Sequence, residues 1–382
     1  MKKEFKRVLA LVLAVVMVFG LTACGDKKDD GKKPANASIK PLVVGYAQFS
    51  QKFSPFYADT AYDQDAVGMT QVSLMTTGRK GGIIKKGIKG EKVEYNGKKY
   101  TYKGIADLDW KYDEAKDQTV YSAKIRDDLK FSDGKPMTAD DIIFTYYVYL
   151  DTAYVGSTTL NSFPIIGLQN YRLNSTKAES VDVTAEETAK MLAEPNDEMK
   201  KAITEKIATI LEEEKGWCTE NFADKGAATQ EEFFVTSYGT AVGYAYDAAK
   251  NYDTIVAEVI AAYGTDYKKL AENYAGDAAY FDGDLSPIAT AIVKKIKVDA
   301  AGGDPVANIE GIKKTGDYSV EVTLKGFSAP AVYSILGIQV TPLHFYGDAS
   351  AYNYDKNQFG FTRGDLSKVQ EKVATPLGAG PY

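Results

Sequence analysis

The sequence is poor in the residue types that build most catalytic and metal sites. Its 382 residues include one histidine, two cysteines and two tryptophans. A single histidine, His344, with no cysteine partner makes neither a metal site nor a catalytic site. A dinucleotide-binding glycine turn between a strand and a helix, a Walker lysine motif, a His-Glu-x-x-His motif and a nucleophile elbow are also missing from the sequence. We therefore expect a protein without enzymatic activity and without a cofactor or metal.

Two short motifs resemble chemical sites but are better explained otherwise. Residues 78–82 (GRKGG) lack the spacing and the final Lys-Ser/Thr of a phosphate-binding loop. The neighbouring carboxylates of Asp140 and Asp141 would point about 100° apart on a helix, so they would not converge on a substrate. Asp140 and Asp141 are instead expected in the first helical turn, where negative charge is favourable.

Tyrosine is abundant, with 27 copies. Its ring has an apolar face and a polar tip, which suits clefts that bind polar ligands, although any single tyrosine is more often simply packed in a core. With 45% apolar and 26% charged residues, the chain can bury one or two globular cores.

The N-terminus has the pattern of a bacterial lipoprotein signal. Positive residues precede an apolar run, residues 8–19, that is short for a membrane span, and Leu21-Thr22-Ala23-Cys24 follows. We expect residues 1–23 to be a signal peptide, Cys24 to carry lipid, and residues 24–40 to be a disordered polar tether. Removing residues 1–23 would change the formal charge from −6 to −9, which argues against nucleic-acid binding. Cys218, the second cysteine, would then have no disulfide partner, and we assign it no function.

Residues 119–150 predict a strand, a turn and a capped helix. Tyr121, Ala123 and Ile125 alternate with polar residues, as in a half-buried strand. The pair Asp133-Gly134 supplies a turn, and Thr138 is a suitable N-cap for a buried helix over residues 139–150.

The same segment resembles the signature of the family 5 extracellular solute-binding proteins, the oligopeptide- and dipeptide-binding type that serves ABC importers. Phe131, Asp133-Gly134, Pro136, Thr138-Ala139 and Asp140-Asp141 follow the order and spacing of that family. Residues 316–336 and 340–347 (VTPLHFYG) resemble a second marked segment, and residues 378–382 (GAGPY) resemble the family phrase GTGPY, with Ala379 in place of threonine.

The resemblance implies an α/β fold, lobe one of a type II periplasmic-binding-protein-like structure with a mixed sheet. In the family the final phrase leads into a second lobe, so Gly378, Gly380, Pro381 and Tyr382 are expected to be the hinge, and we expect the sequence to be truncated after lobe one. Residues 42–46 are expected to be the first strand of lobe one. Its exit loop would face the ligand cleft, which makes Phe49, Ser54, Phe56 and Tyr57 candidate ligand contacts. These side chains could equally serve to pin the loop to the sheet.

Residues 172–290 predict an inserted helical subdomain, which has no counterpart in the family pattern. Thr184 and Glu187 form a capping box, and Met199, Ile203, Ile207 and Leu211 recur at four-residue spacing. Hairpins are predicted over residues 93–102, around Asn96-Gly97, and over residues 309–324, and a strand over residues 294–299. We expect lobe one to comprise residues 41–60 and 291–382, with residues 61–171 as an accessory α/β part.

The resemblance implies a monomeric, lipid-anchored binding component on the extracellular or periplasmic face of the cell membrane. It would bind oligopeptides, or a related small solute, and deliver them to ABC permease and ATPase subunits. Hinge closure of two lobes over the ligand would exclude water. The alternative is a surface lipoprotein without a transport role, whose helical insert binds another protein or a cell-wall component.

Acylation of Cys24 can be tested directly. Expressed in a bacterium with its N-terminus intact, the protein should partition into the detergent phase, because lipid adds apolar chains to Cys24. The substitution Cys24→Ala should release or misprocess the protein, whereas Cys218→Ala should leave partitioning unchanged. Equal partitioning of the Cys24→Ala variant and the parent would contradict lipidation.

Overall fold

A computed structural model describes residues 43–275 and 279–381. The chain divides into two units, Met1–Ala47 and Gln48–Tyr382. The predicted signal peptide, Cys24 and the tether lie outside the described residues. Residues 43–46, which the sequence predicted as part of a first strand, are exposed and have no regular secondary structure, and Val43 is 86% exposed. That prediction is wrong for these residues, because a strand needs a neighbour to accept its hydrogen bonds and no strand of the described chain pairs with them.

The centre of the second unit is a four-stranded sheet. Strands β3 (Ala106–Asp113) and β4 (Gln118–Ile125) pair with β6 (Ser319–Lys325) and β5 (Ile312–Gly316) in the order β3-β4-β6-β5. Every pairing in it is antiparallel, where a mixed sheet was expected. Tyr121, Ala123 and Ile125 on β4 point into the core, as their alternation predicted.

The remaining strands form two small antiparallel pairs. Strands β1 (Glu91–Tyr95) and β2 (Lys98–Tyr102) form the predicted hairpin. Asn96 and Gly97 have φ values of 49° and 71°, the left-handed backbone that a tight hairpin turn needs. Strands β7 (Tyr352–Asn353) and β8 (Gln358–Phe359) form the second pair.

One buried helix covers the sheet. Helix α1 (Ala61–Thr70) comes first in the chain, and helix α2 (Ala139–Leu150) packs against β5 and β6. The predicted N-cap of α2 is confirmed, because the Thr138 hydroxyl accepts the Asp140 amide at 3.3 Å. The Thr138 amide also donates to the Asp141 carboxylate at 2.9 Å, which completes a capping box. The same carboxylate accepts the Leu343 amide at 2.9 Å. Burial raises the pKa of Asp141 to about 6, and these amide hydrogen bonds oppose the increase.

The other helices follow in three groups. Helix α3 (Leu168–Arg172) precedes six helices of the predicted helical region, and three short helices come last in the chain. The six are α4 (Ala185–Ala193), α5 (Asp197–Asn221), α6 (Gln230–Phe234), α7 (Tyr252–Tyr263), α8 (Tyr267–Ala275) and α9 (Ala279–Ala301). The last three are α10 (Ala331–Ile335), α11 (Leu343–Tyr346) and α12 (Ser367–Gln370).

The predicted strand over residues 294–299 is wrong, because this segment belongs to helix α9. Ile296 and Val298 alternate with lysines, but a window of six residues cannot separate a strand from a helix. Over a longer window, the buried residues Leu285, Ala289 and Ile292 recur at spacings of four and three, which is the helical period.

The helical region has its own hydrophobic core. The cluster of buried residues that runs from Met199 to Ile292 shares no residue with the cluster between the sheet and α2. The chain enters and leaves this region at one place, where the Ser175 hydroxyl donates to the Gly302 carbonyl at 2.7 Å and the Thr176 amide donates to the Asp304 carbonyl at 3.1 Å. We infer that residues 178–301 are a separable unit.

Deletion of residues 178–301, with Lys177 and Gly302 joined by a short Gly/Ser linker, should leave a folded remainder. The ends already lie side by side and the sheet keeps its own core, so circular dichroism should show β-structure and a cooperative thermal transition. A deletion of residues 172–290 is the matched control. It cuts α9 and exposes Ile292, so we expect it to aggregate. Loss of folding in the first variant would mean that the helices complete the core of the sheet.

Candidate functional site

A cleft of about 1000 Å³ opens on the surface of the second unit. Three stretches of chain form most of its wall: residues 52–59 with part of α1, the end of α2 with residues 154–160, and α10 with residues 337–339. Its aromatic wall consists of Phe56, Tyr57, Tyr149, Tyr154 and Tyr333, and its main polar side chains are Gln64, Ser157, Thr159, Ser334, Gln339 and Gln370.

Two tyrosine hydroxyls hold the loop over residues 52–59 in place. Tyr149, near the end of α2, donates to the Pro55 carbonyl at 3.0 Å, and Tyr154 donates to the Phe56 carbonyl. Burial holds the pKa of both phenols far above its usual range, so they remain neutral donors. Because these donors come from the body of the protein, the loop has a defined shape before any ligand binds.

The four predicted ligand contacts occupy different positions. Phe56 and Tyr57 line the cleft, although only 2% of Phe56 is exposed and its ring packs against Phe144, Tyr149 and Tyr346. Ser54 is fully buried, and its amide donates to the Val373 carbonyl at 2.9 Å. Phe49 is not part of the cleft wall and contacts Phe53 edge-on at 5.7 Å. The positions of Ser54 and Phe49 therefore favour the alternative role, fixing the loop in place, over contact with a ligand.

Tyr57 is the predicted residue with the most suitable geometry. Its ring is half-buried and its centroid lies 5.7 Å from that of Tyr154. Its buried hydroxyl makes no regular hydrogen bond with the described residues, although it lies close enough to Gln370 to interact with that side chain. Burial raises the pKa of Tyr57, and the Gln370 contact opposes this effect. Because this hydroxyl is buried, the ring of Tyr57 is the part of the side chain that a ligand in the cleft can contact.

Three further tyrosines of the wall were not predicted: Tyr149, Tyr154 and Tyr333. The only sequence signal for them is the high tyrosine content, which does not single out positions. Tyr333 lies on α10 and is 52% exposed, so its ring can meet a ligand. Position 333 is far in sequence from residues 149–154, and only the fold brings these rings to one cavity.

The cleft wall has no net charge. Lys52 and Asp59 are the only charged residues in it, and they form an ion pair with each other near the surface. This pair lowers the pKa of Asp59, chiefly through the hydrogen bond from Lys52. A neutral wall of aromatic faces, amides and hydroxyls favours an uncharged ligand segment with hydrogen-bonding groups.

Two predicted hinge residues, Gly378 and Gly380, pack against the C-terminal end of helix α1. The Gly380 amide donates to the Thr70 carbonyl at 2.9 Å, and the Gly378 carbonyl accepts the Ser132 amide at 2.8 Å. A Cβ atom added at either glycine would collide with the backbone of α1 at Met69 or Thr70, so glycine is required here for close approach. Pro381 is exposed, and Tyr382 lies outside the described residues.

Within residues 43–275 and 279–381, no group of three or more His, Cys, Asp or Glu side chains could hold a metal ion. None of the helices there is long and apolar enough to cross a bilayer. His344 contacts one carboxylate, with its Nε2 atom 2.7 Å from the Asp133 Oδ2 atom.

Two conservative substitutions test how the loop is held. Tyr149→Phe removes the donor to the Pro55 carbonyl and should lower the free energy of unfolding by about 1 kcal/mol. Tyr57→Phe is the matched control, because its hydroxyl has no regular internal hydrogen bond, and it should leave stability unchanged. Urea denaturation of both variants measures the difference. An equal loss in both would show that the loop is not held through Tyr149.

Residues 103–254 match the family model of the bacterial extracellular solute-binding proteins, family 5 Middle. The matched region includes β3, β4 and α2 and continues into the helical region. The chain is also 28% identical over 161 residues to the oligopeptide-binding protein AppA of Bacillus subtilis (strain 168), and the match covers 41% of this chain and 26% of AppA. The predicted resemblance to the family 5 extracellular solute-binding proteins is thus confirmed over the matched residues, which include residues 131–141.

Proposed function

We propose that the chain binds a short peptide, or a related small solute, in the cleft beside Tyr57 and presents it to an ABC importer. The neutral, tyrosine-rich wall is the observation that carries this proposal. The relative from Bacillus subtilis is an oligopeptide-binding protein by name, which supports the ligand class proposed for this chain. The relative is similar over about a quarter of its length, so ligand and transport role are inferred for this chain.

The chemistry of the wall suits a peptide backbone. Peptide amides are neutral and need both donors and acceptors, which the side-chain amides of Gln339 and Gln370 provide. The faces of Tyr154 and Tyr333 offer apolar contact to side chains of different shapes. A volume of about 1000 Å³ is at the upper end for small-ligand sites, which leaves room for variable side chains.

We propose that this cleft is one wall of the binding site, with a second lobe closing over it. Closure would exclude water and strengthen the hydrogen bonds to the peptide. The fixed backbone at Gly378 and Gly380 supports a turning point at or after Pro381, with Tyr382 as the next hinge residue. Acylated Cys24 would keep the protein at the outer face of the cell membrane, close to the permease of the importer.

Saturation-transfer NMR with neutral tetrapeptides tests binding by the 382-residue chain, because the method detects weak complexes. We expect transfer to the peptide, and about tenfold weaker affinity for Tyr333→Ala, which removes an exposed ring from the wall.

Tyr246→Ala is the matched control, since Tyr246 is a similarly exposed tyrosine outside the cleft. It should bind as the parent does. Equal loss in Tyr246→Ala and Tyr333→Ala, or no transfer from any peptide, would contradict peptide binding at this cleft.

A further inference from the structure

The segment over residues 79–103 carries a charge opposite to that of the whole chain. It contains nine lysine or arginine residues and two glutamates, a formal charge of +7, whereas the complete sequence has −6. The positive charge is therefore concentrated in a short stretch of an otherwise acidic protein. A concentration of this kind indicates an interaction with an anionic partner.

The fold gathers these charges around one hairpin. Residues 78–90 lie against the β1–β2 hairpin: the Arg79 amide donates to the Tyr102 hydroxyl at 3.1 Å, and the Arg79 guanidinium lies 4.1 Å from the centre of the Tyr100 ring. On the hairpin itself, Lys92 and Lys99 point to the exposed face, and Lys98 lies at the tip. We call this surface the basic hairpin; its exposed cations are Arg79, Lys80, Lys86, Lys89, Lys92, Lys98, Lys99 and Lys103.

The exposed cations of the basic hairpin form no ion pairs within the described part of the protein. Lys85, which is half-buried, pairs with Asp109 at 2.9 Å, but none of the eight exposed cations forms an ion pair with a carboxylate of the described residues. None of them lines the cleft. Like charges held this close repel one another, so the arrangement costs stability and calls for a partner outside the protein.

The residue types indicate the shape of the partner. Seven of the eight exposed cations are lysines, which act as mobile point charges, while arginine is the residue suited to two-pronged recognition of a single group. Lysines spread over a projecting hairpin suit an extended layer of phosphates better than one small anion. Clusters of four to eight such residues are typical of proteins that dock on anionic bilayers.

The N-terminal sequence brings a bilayer within reach. Cys24 is the predicted acylation site, and eighteen residues separate it from Val43, the first described residue. Even fully extended, this stretch spans no more than about 65 Å. We propose that the basic hairpin docks on the surface of an anionic phospholipid bilayer and so orients the domain on its membrane. Electrostatic contact and acylation would then give the two signals that stable membrane attachment requires.

Sedimentation with lipid vesicles tests this proposal on the full chain carrying Cys24→Ala. The vesicles consist of phosphatidylcholine alone or of phosphatidylcholine and phosphatidylglycerol in a roughly three-to-one ratio. We expect stronger binding to the mixed vesicles at about 0.05 M salt and its loss at about 0.5 M salt, where the screening length is short.

Two sets of substitutions distinguish an effect of the basic hairpin on vesicle binding from an effect of the net charge. Replacing Lys92, Lys98, Lys99 and Lys103 by glutamine should weaken binding to the mixed vesicles about tenfold or more. The control replaces four exposed lysines outside the basic hairpin, Lys177, Lys190, Lys225 and Lys356, and changes the net charge equally. It should bind as the parent does, and the N-terminal positive residues are common to all variants.

Three results would overturn the proposal. Equal binding to both vesicle types would mean attachment through the apolar N-terminal run. Binding to a soluble polyphosphate but not to vesicles would assign the basic hairpin to an anionic polymer. Lysines also discourage the pairing of strand edges between molecules. If the first set of substitutions causes self-association and leaves vesicle binding intact, the role of these lysines is to prevent strand pairing between molecules.

Discussion

Helix α2 is the element on which the rest of the structure depends, because its tyrosines fix the chain on several sides. The Tyr146 hydroxyl donates to the Ile335 carbonyl at 2.6 Å, and the Tyr147 hydroxyl accepts the Ile309 amide at 2.9 Å. Tyr149 holds Pro55. At the start of the helix, Asp141 binds the amides of Thr138 and Leu343. A displacement of α2 would therefore break hydrogen bonds to three segments: the chain before β5, helix α10 and the loop over residues 52–59.

This arrangement explains why a cleft can exist beside so stable a core. Buried phenols are satisfied by backbone groups of the loops, so the loops keep their shape although they contain little regular structure. The hydroxyls of Tyr57 and Tyr333 are not part of this set, since neither makes a regular hydrogen bond with the described residues, and both rings line the cleft. Rigid support and available side chains are the combination that ligand recognition requires.

The sequence was informative where local chemistry decides structure. The alternation in β4, the Asn96-Gly97 turn and the Thr138 cap are each determined by neighbouring residues, and each was predicted correctly. The cleft was not predictable in this way. Ser54 has the polarity of a ligand contact, but its amide binds Val373, more than three hundred residues away, and this contact removes it from solvent. Residues 43–46 and 294–299 were misassigned because short apolar runs do not distinguish a strand from a loop or a helix.

The most direct test of the central claim maps the bound ligand onto the tyrosine rings. Two-dimensional NMR of protein with ¹³C-labelled tyrosine, titrated with a neutral tetrapeptide, reports each ring separately. Peptide binding at the cleft predicts shifts for Tyr57, Tyr154 and Tyr333, and unchanged signals for Tyr238 and Tyr263 in the helical region. Shifts confined to the tyrosines of the helical region would contradict the proposed site and favour recognition through those helices.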